Sequence, residues 1–242
     1  MIFSLFKKDR QRDAARSLYI NAMEQSRLPV FYTAYAVPDT FDARFDLLTV
    51  HVYTLMRALK TLGGQGDKAA QSRDLSQKLF EVMFRNLDDT LREMGVGDLS
   101  VAKKIRPMAE AFYGRVGAYE TAFGASGLRG GDLRADAPDE VPGAAGLTEG
   151  TGDSAANADG VPVQSPPQSA RQSLALALLR NVYGLGDAVE TPAAIAPDLM
   201  AKAEALADHL IACNDSLSRQ PLSRLLSGII TFPVPAGVRE PA

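Results

Sequence analysis

The strongest constraint on the fold is a run of apolar residues between Phe41 and Leu62 that recurs at helical spacing. Its members lie alternately four and three positions apart, which puts their side chains on one stripe of an α-helix. They are Phe41, Phe45, Leu48, Val52, Leu55, Leu59 and Leu62. Because such a stripe must be covered by other elements, the segment predicts a helix that packs into the core of a helical protein.

Residues at both ends of this segment predict where the helix starts and where it stops. Pro38 ends whatever precedes it, and Asp39 or Thr40 can accept a hydrogen bond from the first unpaired amides as an N-cap. The pair Gly63-Gly64 closes the helix. The polar residues of the segment fall opposite the stripe and are predicted to face solvent, namely Asp42, Asp46, Thr49, Tyr53, Arg57 and Lys60.

Similar periodicity elsewhere in the chain predicts an all-α fold, a single domain of about six to seven helices. In the helix that follows Gly64, the expected buried side runs from Leu79 to Met94. Pro107 is predicted to kink the next helix, or to separate a short turn from a restart near Arg106. The further helices are expected at about 14–26, 74–94, 100–123, 169–183, 197–217 and 221–227.

The segment 125–168 interrupts this pattern. It contains no Phe, Tyr or Ile and is rich in Gly, Pro, Ser and Asp, so it cannot bury enough apolar surface to offset the entropy of ordering. We therefore predict a long, disordered, acidic Gly/Pro-rich insertion. It divides a helical domain made of residues 14–124 and 169–235, which residues 1–13 precede as a basic and apolar N-terminal segment.

Composition excludes several classes of protein. The net charge of −3 gives no basic excess for direct nucleic-acid binding, and the single cysteine excludes an intrachain disulfide and a zinc cluster built on several thiolates. Neither a secretory signal nor an apolar run long enough to cross a bilayer is present. We expect a cytoplasmic protein without cofactor or bound metal, whose residues 2–12 could rest on an anionic membrane surface.

The two histidines do not suggest a catalytic site. His51 is predicted to be a packing residue at the boundary of its helix's apolar stripe, because Asp42 and Asp46 point to the far side. His209 shares a helix face with Cys213, but a catalytic dyad or a metal site would need further partners from elsewhere in the fold. The chain is therefore predicted not to be an enzyme. Two alternatives stay open: a small helical enzyme or haem-handling protein that uses His51 or His209, and a peripheral membrane-binding structural protein.

Three long segments carry a resemblance to a known family. VPDTFDARFDLLTVHVYTLMRAL (37–59), LSQKLFEVMFRNLDDTLREMGVGDLSVAKKI (75–105) and MAEAFYGRVGAYE (108–120), in this order, resemble the ubiquinol-cytochrome c chaperone family. The core of the resemblance runs from about Ser17 to Phe123. A weaker likeness takes in NVYGL and QPLSRLLSGIITFPVP near the C-terminus, and the segment 125–168 falls outside it.

The resemblance implies an assembly factor of the ubiquinol-cytochrome c reductase. Such a protein, with a small helical partner, binds newly made cytochrome b near the ribosome exit and hands it on for assembly. The absence of a transit peptide and of a transmembrane anchor points to a bacterial member that acts, as a peripheral protein, at the cytoplasmic face of the inner membrane.

A chaperone in this role needs an apolar surface that binds the unassembled membrane protein, its client, and charged residues at the rim of that surface. Aromatic and basic residues near the two motifs are the candidates for this surface. The aromatic ones could equally be core residues, and Arg44 could pair with Asp39 to hold the turn. We expect the basic group Lys103, Lys104 and Arg106 to form the partner surface, so that its replacement by Glu would lower the amount of cytochrome b. The full set of candidate partner-binding residues is Tyr32, Tyr35, Phe41, Arg44, Lys103, Lys104, Arg106, Tyr113 and Arg115, with Phe31 beside them.

Overall fold

The computed structural model describes residues 2–124, 170–189, 193 and 195–237, and within these ranges it contains helices and no strand. The predicted all-α fold is confirmed. The predicted insertion at 125–168 lies outside the described residues. The helices are α1 (Ile2–Ser26), α2 (Pro29–Thr33), α3 (Phe41–Gly63), α4 (Asp67–Glu93), α5 (Asp98–Gly124), α6 (Ala170–Asn181), α7 (Pro197–Arg219) and α8 (Leu222–Leu226), with a 3-10 turn at Gly186–Ala188.

The ends of α3 follow the sequence signals. The Thr40 hydroxyl accepts a hydrogen bond from the Ala43 amide at 3.2 Å, and Gly64 follows the helix with a positive φ of 57°. The predicted end of α1 at Ser26 and the predicted start of α7 at Pro197 are confirmed, whereas two other bounds differ clearly from the prediction. α1 starts twelve residues before position 14, and α4 starts seven residues before position 74.

The predicted restart in α5 is wrong, because the single helix Asp98–Gly124 continues through Pro107. A proline inside a helix removes one backbone hydrogen bond. Pro107 lies on the exposed side of α5, where water can bind the carbonyl group that the missing amide leaves free.

α3 is the central helix, and the prediction that its polar side faces solvent is wrong for most of that side. The helix contacts α1, α4, α5 and α7, so it is covered all round. Thr49 and Tyr53 are fully buried, and Asp46 and Arg57 are each only 2% exposed. The periodicity identified one buried stripe, but the partners that bury the opposite stripe come from distant parts of the sequence.

Two ion pairs show that α3 and α5 run in the same direction. Asp46 pairs with Arg115, and further along both helices Arg57 pairs with Glu120. Only short turns connect α4 to the helices before and after it, so α4 runs in the opposite direction. One end of the bundle therefore holds the start of α3, the end of α4 and the start of α5.

Met94 lies at this end, and its predicted burial is wrong. α4 ends at Glu93, so Met94 belongs to the turn that leads to Gly95, whose φ is 82°. The Met94 side chain is 64% exposed. The helical stripe that predicted its burial stops one residue earlier, at the end of the helix.

The C-terminal segment packs back onto the beginning of the chain. Gly228 has a φ of 74°, and a Cβ at this position would lie only 2.8 Å from the Cα of Ala14 in α1. Tyr35 donates a hydrogen bond to the carbonyl oxygen of Ala236 at 3.2 Å, and Tyr183 donates one to the carbonyl oxygen of Tyr35 at 2.8 Å. These contacts tie the segment between α2 and α3 to the second half of the domain.

Candidate functional site

The bundle end formed by the starts of α3 and α5 exposes apolar and cationic side chains together. We call this surface the cationic end, and it consists of Phe41, Met94, Lys103, Lys104 and Arg106, all of them exposed. Counting back from the Asp46–Arg115 and Arg57–Glu120 pairs at 1.5 Å per residue, Phe41 and Lys104 lie within about 9 Å of each other along the bundle axis. The structure thus brings candidates from two separate sequence segments to one end of the molecule.

The remaining candidates near the start of α3 have structural roles. Arg44 pairs with Asp39 at 2.6 Å, as the sequence suggested, and this contact lowers the pKa of the Asp39 carboxyl. Tyr32 is half-buried and donates a hydrogen bond to the carbonyl oxygen of Ser26 at 3.2 Å. Tyr35 and Phe31 are buried in the core. Of these residues, only Arg44 presents most of its side chain to solvent.

The two candidates further along α5 face other helices. Tyr113 is half-buried, with its ring centroid 5.4 Å from that of Phe80 in α4. Arg115 holds the buried Asp46 and lies over the ring of Phe45 at 5.5 Å. Burial raises the pKa of Asp46 to about 7 although the Arg115 guanidinium opposes this shift. Arg115 therefore joins α5 to α3, and it borders the cationic end without being an exposed part of it.

A second buried ionic group connects three helices below this end. Arg57 of α3 pairs with Glu120 of α5, and its Nε donates a hydrogen bond to Oδ1 of Asn214 in α7 at 3.2 Å. Tyr53 donates to the Glu120 carboxylate at 2.9 Å. The Arg57 guanidinium also lies 5.1 Å from the ring centroid of Phe123. This group fixes the relative positions of α3, α5 and α7.

The structure also brings His51 to the pair His209 and Cys213, which the sequence had placed on one helix face. His51 of α3 lies beside His209 and Cys213 of α7, and their potential ligand atoms lie within 4.8 Å of one another. The Cys213 Sγ is 3.3 Å from Nε2 of His209, and the two imidazole centroids are 5.8 Å apart. All three residues are buried. We call these residues the His–Cys cluster.

The environment of the cluster keeps its members neutral. Burial lowers the pKa of His51 to about 4 and that of His209 to about 3, and it raises the pKa of the Cys213 thiol. The aromatic rings of Phe31 and Phe232 pack against the imidazoles. A haem or an organic substrate has no access to these side chains in this arrangement, so the cluster does not support the alternative of an enzyme or haem-handling protein.

No sequence signal joined His51 to the other two residues, because they lie 158 positions apart or more. The four-residue spacing of His209 and Cys213 placed that pair on one face of a helix. The third member depends on how α3 packs against α7, which periodicity does not reveal. The cluster is a feature that the sequence analysis missed.

A groove between α1 and α4 is a further concave surface, with a volume of about 440 Å³. Tyr19 donates a hydrogen bond to Asn86 across it at 2.6 Å. Charged groups of both signs line it, among them Arg12, Asp13, Lys78, Glu81, Arg85 and Asp89. Since an apolar client needs an apolar surface, this groove fits such a client less well than the cationic end does.

Among the described helices, none is sufficiently long and apolar to cross a membrane.

Part of the chain matches a known family model. Residues 33–135 match the family model described as ubiquinol-cytochrome C chaperone, which confirms the resemblance seen in the sequence. The match begins later than Ser17 and extends past Phe123, so it takes in the first eleven residues of the segment 125–168, which had been expected to fall outside the resemblance. The weaker C-terminal likeness stays a prediction.

A solved structure shares the fold. The crystal structure of the Cbp3 homolog from Brucella abortus aligns with a TM-score of 0.63 over 99% of this chain and 100% of that chain, at 24% sequence identity. No match is found among curated proteins.

Proposed function

We propose that this chain, whose residues 33–135 match the ubiquinol-cytochrome C chaperone family, is an assembly chaperone that binds newly made cytochrome b during biogenesis of the ubiquinol-cytochrome c reductase. The family match is the observation that carries the proposal, and it includes every residue of the cationic end. The protein acts by binding and not by catalysis. Its place of action is the cytoplasmic face of the inner membrane, as a peripheral protein.

The apolar members of the cationic end suit the client. A newly made membrane protein exposes apolar helix surface before it is packed, and exposed Phe and Met side chains provide a matching contact. Phe41 is 39% exposed and Met94 is 64% exposed. Met is well suited to clients of variable shape because its side chain is flexible and polarisable.

The cations at this end suit the membrane more than the client. Cytoplasmic loops of membrane proteins carry an excess of Lys and Arg, which would repel Lys103 and Lys104. The anionic cytoplasmic leaflet attracts them instead, by about 1 kcal/mol for each cation near the surface. We therefore assign Lys103, Lys104 and Arg106 to orientation at the membrane, and Phe41 and Met94 to the client. A small helical partner and the ribosome are further partners that the resemblance implies.

The test is complementation of cells that lack the gene. The double replacement of Lys103→Glu and Lys104→Glu should lower the amount of assembled reductase several-fold, because the cationic end then repels the anionic membrane. The matched control replaces Lys68 and Arg73 by Glu, because both are also exposed but lie in the first two turns of α4, at the opposite end of the bundle.

Reductase levels are measured from the haem b spectrum of membranes, with the chaperone quantified by immunoblot. The control should restore the wild-type amount. Equal reductase levels in the two double variants would contradict the assignment of the cationic end. Full assembly in cells without any copy of the gene would contradict the chaperone role itself.

A further inference from the structure

The His–Cys cluster has the composition of a metal-binding site. Its three side chains come from two helices and converge on one buried point, with their ligand atoms within 4.8 Å of one another. In a three-coordinate site with bonds of the usual length to nitrogen and sulfur, the ligand atoms would be separated by roughly 3.5 to 3.8 Å. The observed 3.3 Å between Cys213 Sγ and His209 Nε2 is close to that value, and a movement of about 1 Å brings in the third ligand.

His51 supplies a second, independent observation. Its Nδ1 lies 2.7 Å from the carbonyl oxygen of Leu47, which can only accept a hydrogen bond. Nδ1 therefore carries the proton and Nε2 presents a lone pair. This Nε2 is fully buried without a hydrogen-bond partner among the described residues. A buried polar atom without a partner destabilises the fold, and a ligand bound to it would offset this cost.

The hydrogen bond to Leu47 is also the arrangement that metal sites use. Histidines that bind metals usually donate the other ring N–H to a carbonyl or carboxylate group, which fixes the ring and its tautomer. At His209, the Gln25 amide nitrogen lies 3.3 Å from Nε2 and 3.3 Å from the carbonyl oxygen of Pro233. An amide N–H that donates to Nε2 marks this atom as a lone-pair site as well, and a bound metal ion would replace this hydrogen bond while the amide keeps its bond to Pro233.

We propose that His51, His209 and Cys213 bind one thiophilic metal ion through two imidazole nitrogens and one thiolate sulfur. On binding, the Cys213 S–H bond breaks and a metal–sulfur bond forms, and the thiol proton passes to solvent. No change of oxidation state is involved. The ion joins α3 to α7 in the centre of the domain and stabilises their contact.

Charge and coordination number favour Cu⁺ over Zn²⁺. Two neutral imidazoles and one thiolate cancel the single charge of Cu⁺, whereas Zn²⁺ would leave a net positive charge in an interior lined by Phe31 and Phe232. Structural zinc sites also use four ligands, and the cluster supplies three. A thiolate ligand suits both Cu⁺ and Zn²⁺, so charge and coordination number decide between the two ions.

The test is anaerobic titration of the purified full chain with Cu⁺ in competition with a chromophoric Cu⁺ chelator, and with Zn²⁺ in parallel. The wild-type protein should take up one equivalent of Cu⁺, and Cys213→Ser, which nearly conserves the side-chain volume, should weaken binding at least a hundredfold. Met94→Leu removes an exposed thioether that could bind Cu⁺ adventitiously, so it should leave the affinity unchanged. The thermal unfolding midpoint of each apo variant shows that it is folded.

Each outcome decides the proposal. One equivalent of Cu⁺ that depends on Cys213, together with a raised unfolding midpoint, supports it. One equivalent of Zn²⁺ with the same dependence supports the site and overturns the preference for copper. Absence of stoichiometric binding of either ion, or binding that Cys213→Ser leaves intact in a folded protein, overturns the site. None of these results depends on whether the protein is a chaperone.

Discussion

The interior around α3 and the cationic end differ in whether their charged side chains are buried in ion pairs or exposed to solvent. In the interior, Arg57 faces Glu120 and Asp46 faces Arg115, so that polar groups are matched by partners from other helices. At the cationic end, Lys103, Lys104, Phe41 and Met94 are all exposed. The first region therefore determines whether the domain holds together, and the second offers a surface to other molecules.

The largest effect should follow from a change in the interior ion pair. Glu120→Gln removes a carboxylate that pairs with the buried Arg57, and breaking a buried ion pair costs about 3 kcal/mol. The matched control is Glu110→Gln, which removes the partner of Arg106 from an exposed pair at 3.2 Å and should cost less than about 1 kcal/mol. Urea unfolding followed by circular dichroism measures both. Equal losses would break the distinction between the two regions.

A smaller effect is expected where the C-terminal segment meets α1. Gly228→Ala forces a side chain into the left-handed region and against the Ala14 backbone, which should cost about 2 kcal/mol. Gly95→Ala carries the same backbone strain at a φ of 82°, but its Cβ would meet nothing within 4 Å, so the loss should be about 1 kcal/mol. Thermal unfolding of the two variants separates the clash from the strain. A Gly228 variant as stable as the Gly95 variant would show that this packing contributes little.

The smallest effect on stability should come from the cationic end. Both lysines are exposed, and surface substitutions of this kind usually change the unfolding free energy by less than about 0.5 kcal/mol. The Lys103→Glu and Lys104→Glu variant should therefore unfold at the same urea concentration as the wild type while it fails to support assembly. A large loss of stability would show instead that its effect on assembly is an effect on folding.

Local signals in the sequence were enough for much of the fold. The Thr40 cap and the Gly63-Gly64 stop gave both ends of α3, because each depends on residues within one helical turn. The burial of Asp46 and Arg57 could not be predicted, since Arg115 and Glu120 lie more than 60 positions away. His51 met His209 only through tertiary packing. The exposure of Met94 depended on the single position at which α4 ends.

The most direct test of the central claim is a photo-crosslinking measurement in respiring cells. A photoreactive phenylalanine analogue replaces Phe41 in one variant and the exposed Lys68 at the opposite end of the bundle in another. The analogue at position 41 should form a covalent adduct with newly made cytochrome b, and the analogue at position 68 should not. Adducts with cytochrome b at position 68 and none at position 41 would contradict the claim.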